Sequence, residues 1–216
     1  EMVDGLERNC VSENADFDLE KLRLLRPTHL IVNVDENPKE LVDFAREFVP
    51  NVVVTHPLDP KDNVSLYQLI GYIFRATLQA ERLTELFLRS YQSAIDQTSQ
   101  LNRERVLYLI WKKPWMTIGQ DTYIARVLAS VGYDQIRLDT SVRYPEIDIE
   151  GLAGKVDRIL LSTEPFAFRP RDVRELQSSV CLLGAAKVSL IDGEMTSWYG
   201  SRAIKGYDYL AAFRAA

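Results

Sequence analysis

Apolar residues along the chain follow two rhythms, and the alternation between them predicts an α/β protein. In ADFDLEKLRLLRP, Leu19, Leu22 and Leu25 recur at helical spacing, with Asp16 or Asp18 placed to cap the start and Pro27 to stop the end. THLIVNV reads as a short buried strand. Pro38 stands at the first turn of a helix over PKELVDFAREF. NVVVTHP is a second strand, rich in β-branched residues. Two successive helix–strand units predict a parallel sheet covered by helices.

From Val64 to Leu101 the pattern changes. The stretch has no proline and one glycine, Gly71, while Leu66, Ile70, Ile73, Leu83, Phe87, Tyr91 and Ile95 keep helical spacing. A single helix of that extent would reach about 55 Å. Neither sustained heptads nor continuous apolarity is present, so the expectation is a structural spine between two lobes. The sequence thus divides into an N-terminal α/β lobe at 1–63, a connecting helix at 64–101 and a C-terminal α/β lobe at 102–216.

In the last part the helix–strand rhythm restarts. RVLYLI and DRILLS read as strands, and DTYIARVLASVGY and RPRDVRELQSS as helices, the former with Asp121 at its cap and Gly132 near its end. VCLLG and KVSLIDG are strand-like, with a tight turn at Asp192-Gly193. The C-terminal WYGSRAIKGYDYLAAFRAA predicts short helical pieces. The fold class is α/β, two Rossmann-like lobes with parallel sheets.

Composition narrows the function. Hydrophobic residues make up 46% of the 216, enough for a sizeable core, and the net charge of −5 argues against a nucleic-acid binder. No run approaches the ~18 apolar residues of a membrane-spanning helix. The start, EMVDGLERNC, has neither the basic nor the apolar region of a secretory signal, which fits a cytoplasmic protein or one whose targeting segment has been removed. The two cysteines, Cys10 and Cys181, are too few for a zinc site or a disulfide framework, and the apolar SSVCLLG context of Cys181 predicts a buried, inert thiol.

Candidate chemistry gathers where strands end, the place where open α/β sheets bind ligands. The N-terminal half ends its strands in amides, carboxylates and a histidine: Asn33, Asp35, Glu36 and His56. The C-terminal half ends them in large aromatics. Two of the three tryptophans, Trp111 and Trp115, lie within five residues of each other after RVLYLI; Phe166 and Phe168 follow DRILLS; Trp198, Tyr199 and Arg202 follow the last strand. Aromatic faces with a few polar groups suit a bulky, flat or partly apolar ligand. Core packing is the alternative for each tryptophan taken singly. Enzyme signatures are weak. There is no G-x-G-x-x-G, P-loop or G-x-S-x-G, and His29 and His56 lack metal-ligand spacing. Asp35, Glu36 and His56 are the residues an α/β enzyme would use for acid–base work. Arg169, Arg171 and Arg174 read as a solvated helix face.

The segments THLIVNVDENPKE, VLYLIWKKPWMTIGQDTYIARVLASVGY, ILLSTEPFAF and DGEMTSWYGSR, with the proline-poor helix, together resemble the helical-backbone (class III) substrate-binding proteins of ABC importers. The resemblance runs from about Asn14 to the C-terminus and is strongest in the W-x-x-P-W-like and S-W-Y-G-S-R blocks, towards the cobalamin-binding, metal-receptor branch. It implies two lobes joined by one rigid helix, ligand held between them, and no catalysis. It implies a corrinoid, haem or ferric siderophore as the bound ligand, no catalytic cofactor or resident metal, an ABC permease as partner, and a periplasmic or otherwise extracytoplasmic setting. Carried over by position, Trp111, Trp115, Tyr123, Phe166, Trp198, Tyr199 and Arg202 would face the ligand from the C-terminal lobe, and Asn33, Glu36 and His56 from the N-terminal lobe. Glu40 would dock the permease on the N-terminal side; no acidic residue lies between Trp198 and Asp208, where the second docking residue is expected. The family's opening strand, Pro-Ser turn and G-G-T-K-like segment have no counterpart, so the N-terminal lobe reads as incomplete. Two other readings stand beside this one: an α/β enzyme, and a shortened, non-binding interaction module.

Overall fold

The computed structural model describes residues 18–138, 140–178 and 186–216. These form two compact units, one ending at His56 and one running from Pro57 to the C-terminus. The expectations for Cys10, Cys181 and the VCLLG strand lie outside the described residues.

In the first unit, α1 (Leu19–Leu25) starts where the Asp18 carboxylate accepts the Lys21 N–H at 2.8 Å. It stops at Arg26, which turns into the left-handed region with φ 46°, just before Pro27. β1 (His29–Asn33) and β2 (Asn51–Thr55) pair in parallel, with α2 (Lys39–Ala45) between them in sequence. Leu30, Val32 and Val52 point to one side of this pair and meet Leu19 and Leu22 of α1 and Leu41 and Val42 of α2. Alternation along the strands therefore decides which face the helices cover.

The second unit opens with α3 (Asp62–Ile73) and α4 (Thr77–Thr98). The single helix expected over 64–101 is corrected here. Arg75 adopts φ 53° and ends the run, and α4 starts afresh. The ring centroids of Tyr67 and Phe87 lie 6.1 Å apart, whereas a continuous helix would separate twenty residues by about 30 Å. α3 therefore folds back along α4. The reversal is possible because Gly71 lies against Ala80, where no β-carbon would fit. It also buries the apolar stripes of both helices in one core. α4 remains the longest helix described, 22 residues and about 33 Å.

Among the described residues, five strands follow. β3 (Glu104–Trp111) is central, and β6 (Arg158–Ser162) and β7 (Lys187–Ile191) extend the sheet from it in parallel. The other edge of β3 is shared by β5 (Tyr133–Gln135), parallel along its first half, and β4 (Met116–Thr117), antiparallel at its end. β3 is buried on both faces. Val106, Tyr108 and Ile110 pack under α4, α5 (Tyr123–Ser130) and the last helix, while Leu107 and Leu109 pack with Phe168 and with Leu176 of α6 (Pro170–Ser178). Near-continuous apolarity in RVLYLI follows from that double cover.

Three local expectations are revised. The cap of α5 is Thr122, whose hydroxyl accepts the Ala125 N–H at 3.3 Å; Asp121 is one residue too early. Asp192 forms no hairpin turn. Its carboxylate accepts the Met195 N–H at 3.2 Å and caps a short helix, α7 (Gly193–Ser197). The C-terminus is one helix, α8 (Arg202–Ala215), rather than several pieces. Its apolar side carries Tyr207 and Leu210 into the core, and packing sustains it through Gly206.

Candidate ligand-binding site

The C-terminal ends of β3, β6 and β7 lie side by side in the second unit, and their connections carry the aromatics. At the end of β3, Trp111 pairs with Met116 across the hairpin to β4, so Trp111 and Trp115 sit at one tight turn. After β6 the chain brings Phe166 edge-on to Trp111, with centroids 5.5 Å apart. Phe166 meets Phe168 at 4.6 Å, and Phe168 lies parallel to Trp115 at 6.2 Å. Trp111, Phe166, Phe168 and Trp115 thus form one continuous aromatic run, each ring within the separation at which aromatic pairs attract. Three of these rings are half-buried and one, Phe168, is fully buried.

Trp198 joins this edge through polar contacts. Its indole Nε1 donates to Glu164 Oε2 at 3.0 Å, and the Arg202 guanidinium lies 5.7 Å from its ring centre. Arg202 in turn pairs with Glu194 at 3.2 Å. Glu164 and Glu194 carry no sequence motif. What singles them out is contact with residues that the sequence does single out.

Beneath the edge lies a layer of hydroxyls. Tyr108, wholly buried on β3, donates to Ser162 Oγ at 2.8 Å and lies 2.6 Å from Thr196 Oγ1. Ser162 Oγ donates in turn to the Glu164 carbonyl at 2.6 Å. Burial pushes the Tyr108 phenol up to about 12, against the pull of its two hydrogen bonds, so it stays protonated as a donor. β3, the end of β6 and α7 are thereby tied at one point. Tyr108→Phe should cost about 1 kcal/mol, because Ser162 and Thr196 each keep a backbone partner; urea unfolding followed by tryptophan emission measures it, and a loss above about 3 kcal/mol would mean the layer is more cooperative than these bonds imply.

Tyr123 and Asn33 are both buried and hydrogen-bonded within the protein. Tyr123 is buried, and its hydroxyl accepts from Asn63 Nδ2 at 2.9 Å. Burial outweighs that bond and raises its phenol to about 12. Asn63, also buried, accepts the Gly200 N–H at 2.6 Å, so α3, α5 and the turn before α8 meet on one amide. Tyr199 packs edge-on to Tyr123 at 5.9 Å. In the first unit, Asn33 is buried in the turn after β1, where its side chain donates to the Thr55 carbonyl and accepts the Asp35 N–H. Glu36, Glu40 and His56 are exposed. His56 Nε2 lies 3.7 Å from Asp35 Oδ1. Among the described residues no group of three or more metal-binding side chains gathers, and no helix is long and apolar enough to cross a membrane. A hollow of about 490 Å³ opens elsewhere in the second unit, between Arg105, Asp134, Ile136, Leu152 and Lys155. It shares no residue with the aromatic edge, and two salt bridges, Arg105 to Asp157 and Asp134 to Arg103, lie at its rim.

The fold is that of the helical-backbone substrate-binding proteins of ABC importers. The periplasmic vitamin B12-binding protein BtuF of Vibrio cholerae superimposes with a TM-score of 0.78 at 18% identity, over 91% of this chain and 77% of that one. The periplasmic haem-binding protein RhuT from Roseiflexus sp. RS-1 gives 0.74 at 18% identity, over 91% and 79%. The haem-binding protein BhuT, in complex with two haems, gives 0.76 at 17% identity, over 92% and 80%. These neighbours are longer than this chain, which spans 77–80% of their length. No protein-family model matches the sequence, and a search of curated proteins found no match.

Proposed function

We propose that the protein is the substrate-binding component of an ABC importer and captures a corrinoid, haem or other metal chelate for delivery to a membrane permease. The observation that carries this reading is the aromatic run Trp111–Phe166–Phe168–Trp115, with Trp198 held beside it, at the carboxyl ends of a parallel sheet. A flat, partly apolar ligand gains area and ring contact from such a surface, and no proton transfer or covalent step is required of it. In this reading the metal is cargo. Glu36 and His56 are further candidate ligand contacts, and Glu40 docks on the permease. The protein works outside the cytoplasmic membrane and is not an enzyme. Neighbours that bind vitamin B12 and haem support the ligand class.

Fluorescence titration with cyanocobalamin, haemin and a ferric siderophore panel tests it, with inner-filter controls. One of these should quench tryptophan emission saturably, and Trp111→Ala and Trp198→Ala should each weaken binding about thirtyfold, the loss typical of an aromatic anchor. If the binding ligand were held equally well by both variants, the site would be misplaced. A folded protein that binds none of the probes would be an interaction module instead.

A further inference from the structure

Lys112 follows Trp111 and precedes the turn that carries Trp115, yet its side chain points inward and is only 12% exposed. Its ammonium lies 3.0 Å from Asp172 Oδ1, 2.7 Å from Glu175 Oε2 and 5.7 Å from the centre of the Trp115 ring. Asp172 is itself buried and fixed, because its second oxygen accepts the Arg169 N–H at 2.9 Å. Burial alone would lower the lysine's proton affinity, but the two carboxylates outweigh it and raise it, so the group is a cation. The β3–β4 hairpin fixes the backbone beside Trp115 but leaves the ring's rotation open. Phe168 supplies one parallel neighbour and the ammonium supplies an electrostatic one.

We infer that Lys112 is a positioning residue: anchored to Asp172 and Glu175 of α6, it fixes the Trp115 ring against Phe168 and so preorganises the aromatic run, without offering charge to a ligand. Two carboxylates already neutralise it, so a ligand would meet an ordered aromatic surface and not a free ammonium. Preorganisation of this kind raises affinity by removing the ordering cost at binding. The ligand-binding consequence rests on the function proposed above; the ordering of Trp115 does not.

The test uses the full chain with Trp111→Phe and Trp198→Phe, so that Trp115 is the only tryptophan. Lys112→Met combined with Asp172→Asn removes both buried charges together, and the asparagine can still accept the Arg169 N–H. In this variant, acrylamide quenching of Trp115 should rise about twofold and its near-ultraviolet circular dichroism should collapse, while Lys112→Arg should keep both close to the parent. Unchanged quenching and dichroism in a folded double variant would overturn the inference. Should that variant not fold, Glu175→Gln, at a carboxylate 61% exposed, loosens the clamp from its solvent side and is held to the same reading. With all three tryptophans restored, Lys112→Met/Asp172→Asn should weaken binding of whichever probe the wild type takes by about tenfold. If the wild type takes none, the ligand reading fails, while the Trp115 measurements still decide the role of Lys112.

Discussion

Glu104→Gln should lower the unfolding free energy of the second unit by about 3 kcal/mol at neutral pH. Glu104 stands at the start of β3 between two arginines. Its Oε2 meets Arg158 Nε at 2.7 Å, and its Oε1 meets Arg214 Nη1 at 2.6 Å. The arginine side chains are 15% and 4% exposed, so neither can turn to water if the carboxylate is lost. Arg214 also donates to the carbonyls of Val131 and Asn102 and lies over Tyr133, which locks the end of α8 to the start of the sheet. A neutral amide would leave two cations close together in a poorly solvated place. Burial works against ionisation of Glu104, but Arg158 and Arg214 outweigh it and hold its carboxyl below the ordinary range. A carboxylate with a depressed folded-state pKa contributes stability that is full above the unfolded value and lost as pH falls through the folded one. The gap between wild type and Glu104→Gln should therefore be widest at pH 7 and narrow steadily in acid. All three tryptophans lie in the second unit, so urea unfolding followed by their emission at pH 7 and pH 4 reports this gap directly. A gap under about 1 kcal/mol at pH 7 would mean that the cluster contributes no more than an exposed ion pair.

Gly193→Ala should cost about 2–3 kcal/mol and disturb the candidate site as well. Gly193 opens α7 directly beside the connection after β6. An added β-carbon would lie 2.7 Å from both the Glu164 nitrogen and Ser162 Oγ, and 2.9 Å from Glu164 Cβ. None of these is the loose end of a flexible chain, so α7 must move away. That movement would break the bond from the Gly193 N–H to Thr163 Oγ1, now 2.9 Å, and pull Trp198 from Glu164. Gly151→Ala is the matched control, since its methyl would meet only Asp148 Oδ2 at an ordinary 3.6 Å. The two variants should separate clearly in unfolding midpoint, and only Gly193→Ala should shift the emission of a protein that keeps Trp198 alone. Equal midpoints would show that α7 accommodates the methyl by a small slide.

The elements that hold the site were legible where a short local pattern suffices. RVLYLI and DRILLS are buried strands because both faces of the sheet are covered, and continuous apolarity records that directly. The strand-end aromatics are legible as candidates because an open sheet receives ligands at its strand ends, so residue type and position together single out Trp111, Trp115, Phe166 and Trp198. The reversal at Arg75 was not legible. No proline marks it, helical spacing continues through it, and the signal is Gly71 alone, whose meaning depends on Ala80 lying opposite. Asn33 and Tyr123 looked like ligand contacts by type and position. Their partners, Thr55 and Asp35 at the end of β1 for one and Asn63 of α3 for the other, are visible only in the structure.

By itself, the sequence determined that this protein alternates helices and parallel strands, and that its C-terminal strand ends are aromatic. Periodicity, caps and β-branched runs act over a few residues, so they are written locally. The tertiary structure decided which aromatics touch, which carboxylates neutralise Lys112 and Arg202, and which polar groups are buried. Lys112 and Asp172, or Glu104 and Arg214, stand dozens of positions apart, and proximity of that kind exists only once the sheet has assembled.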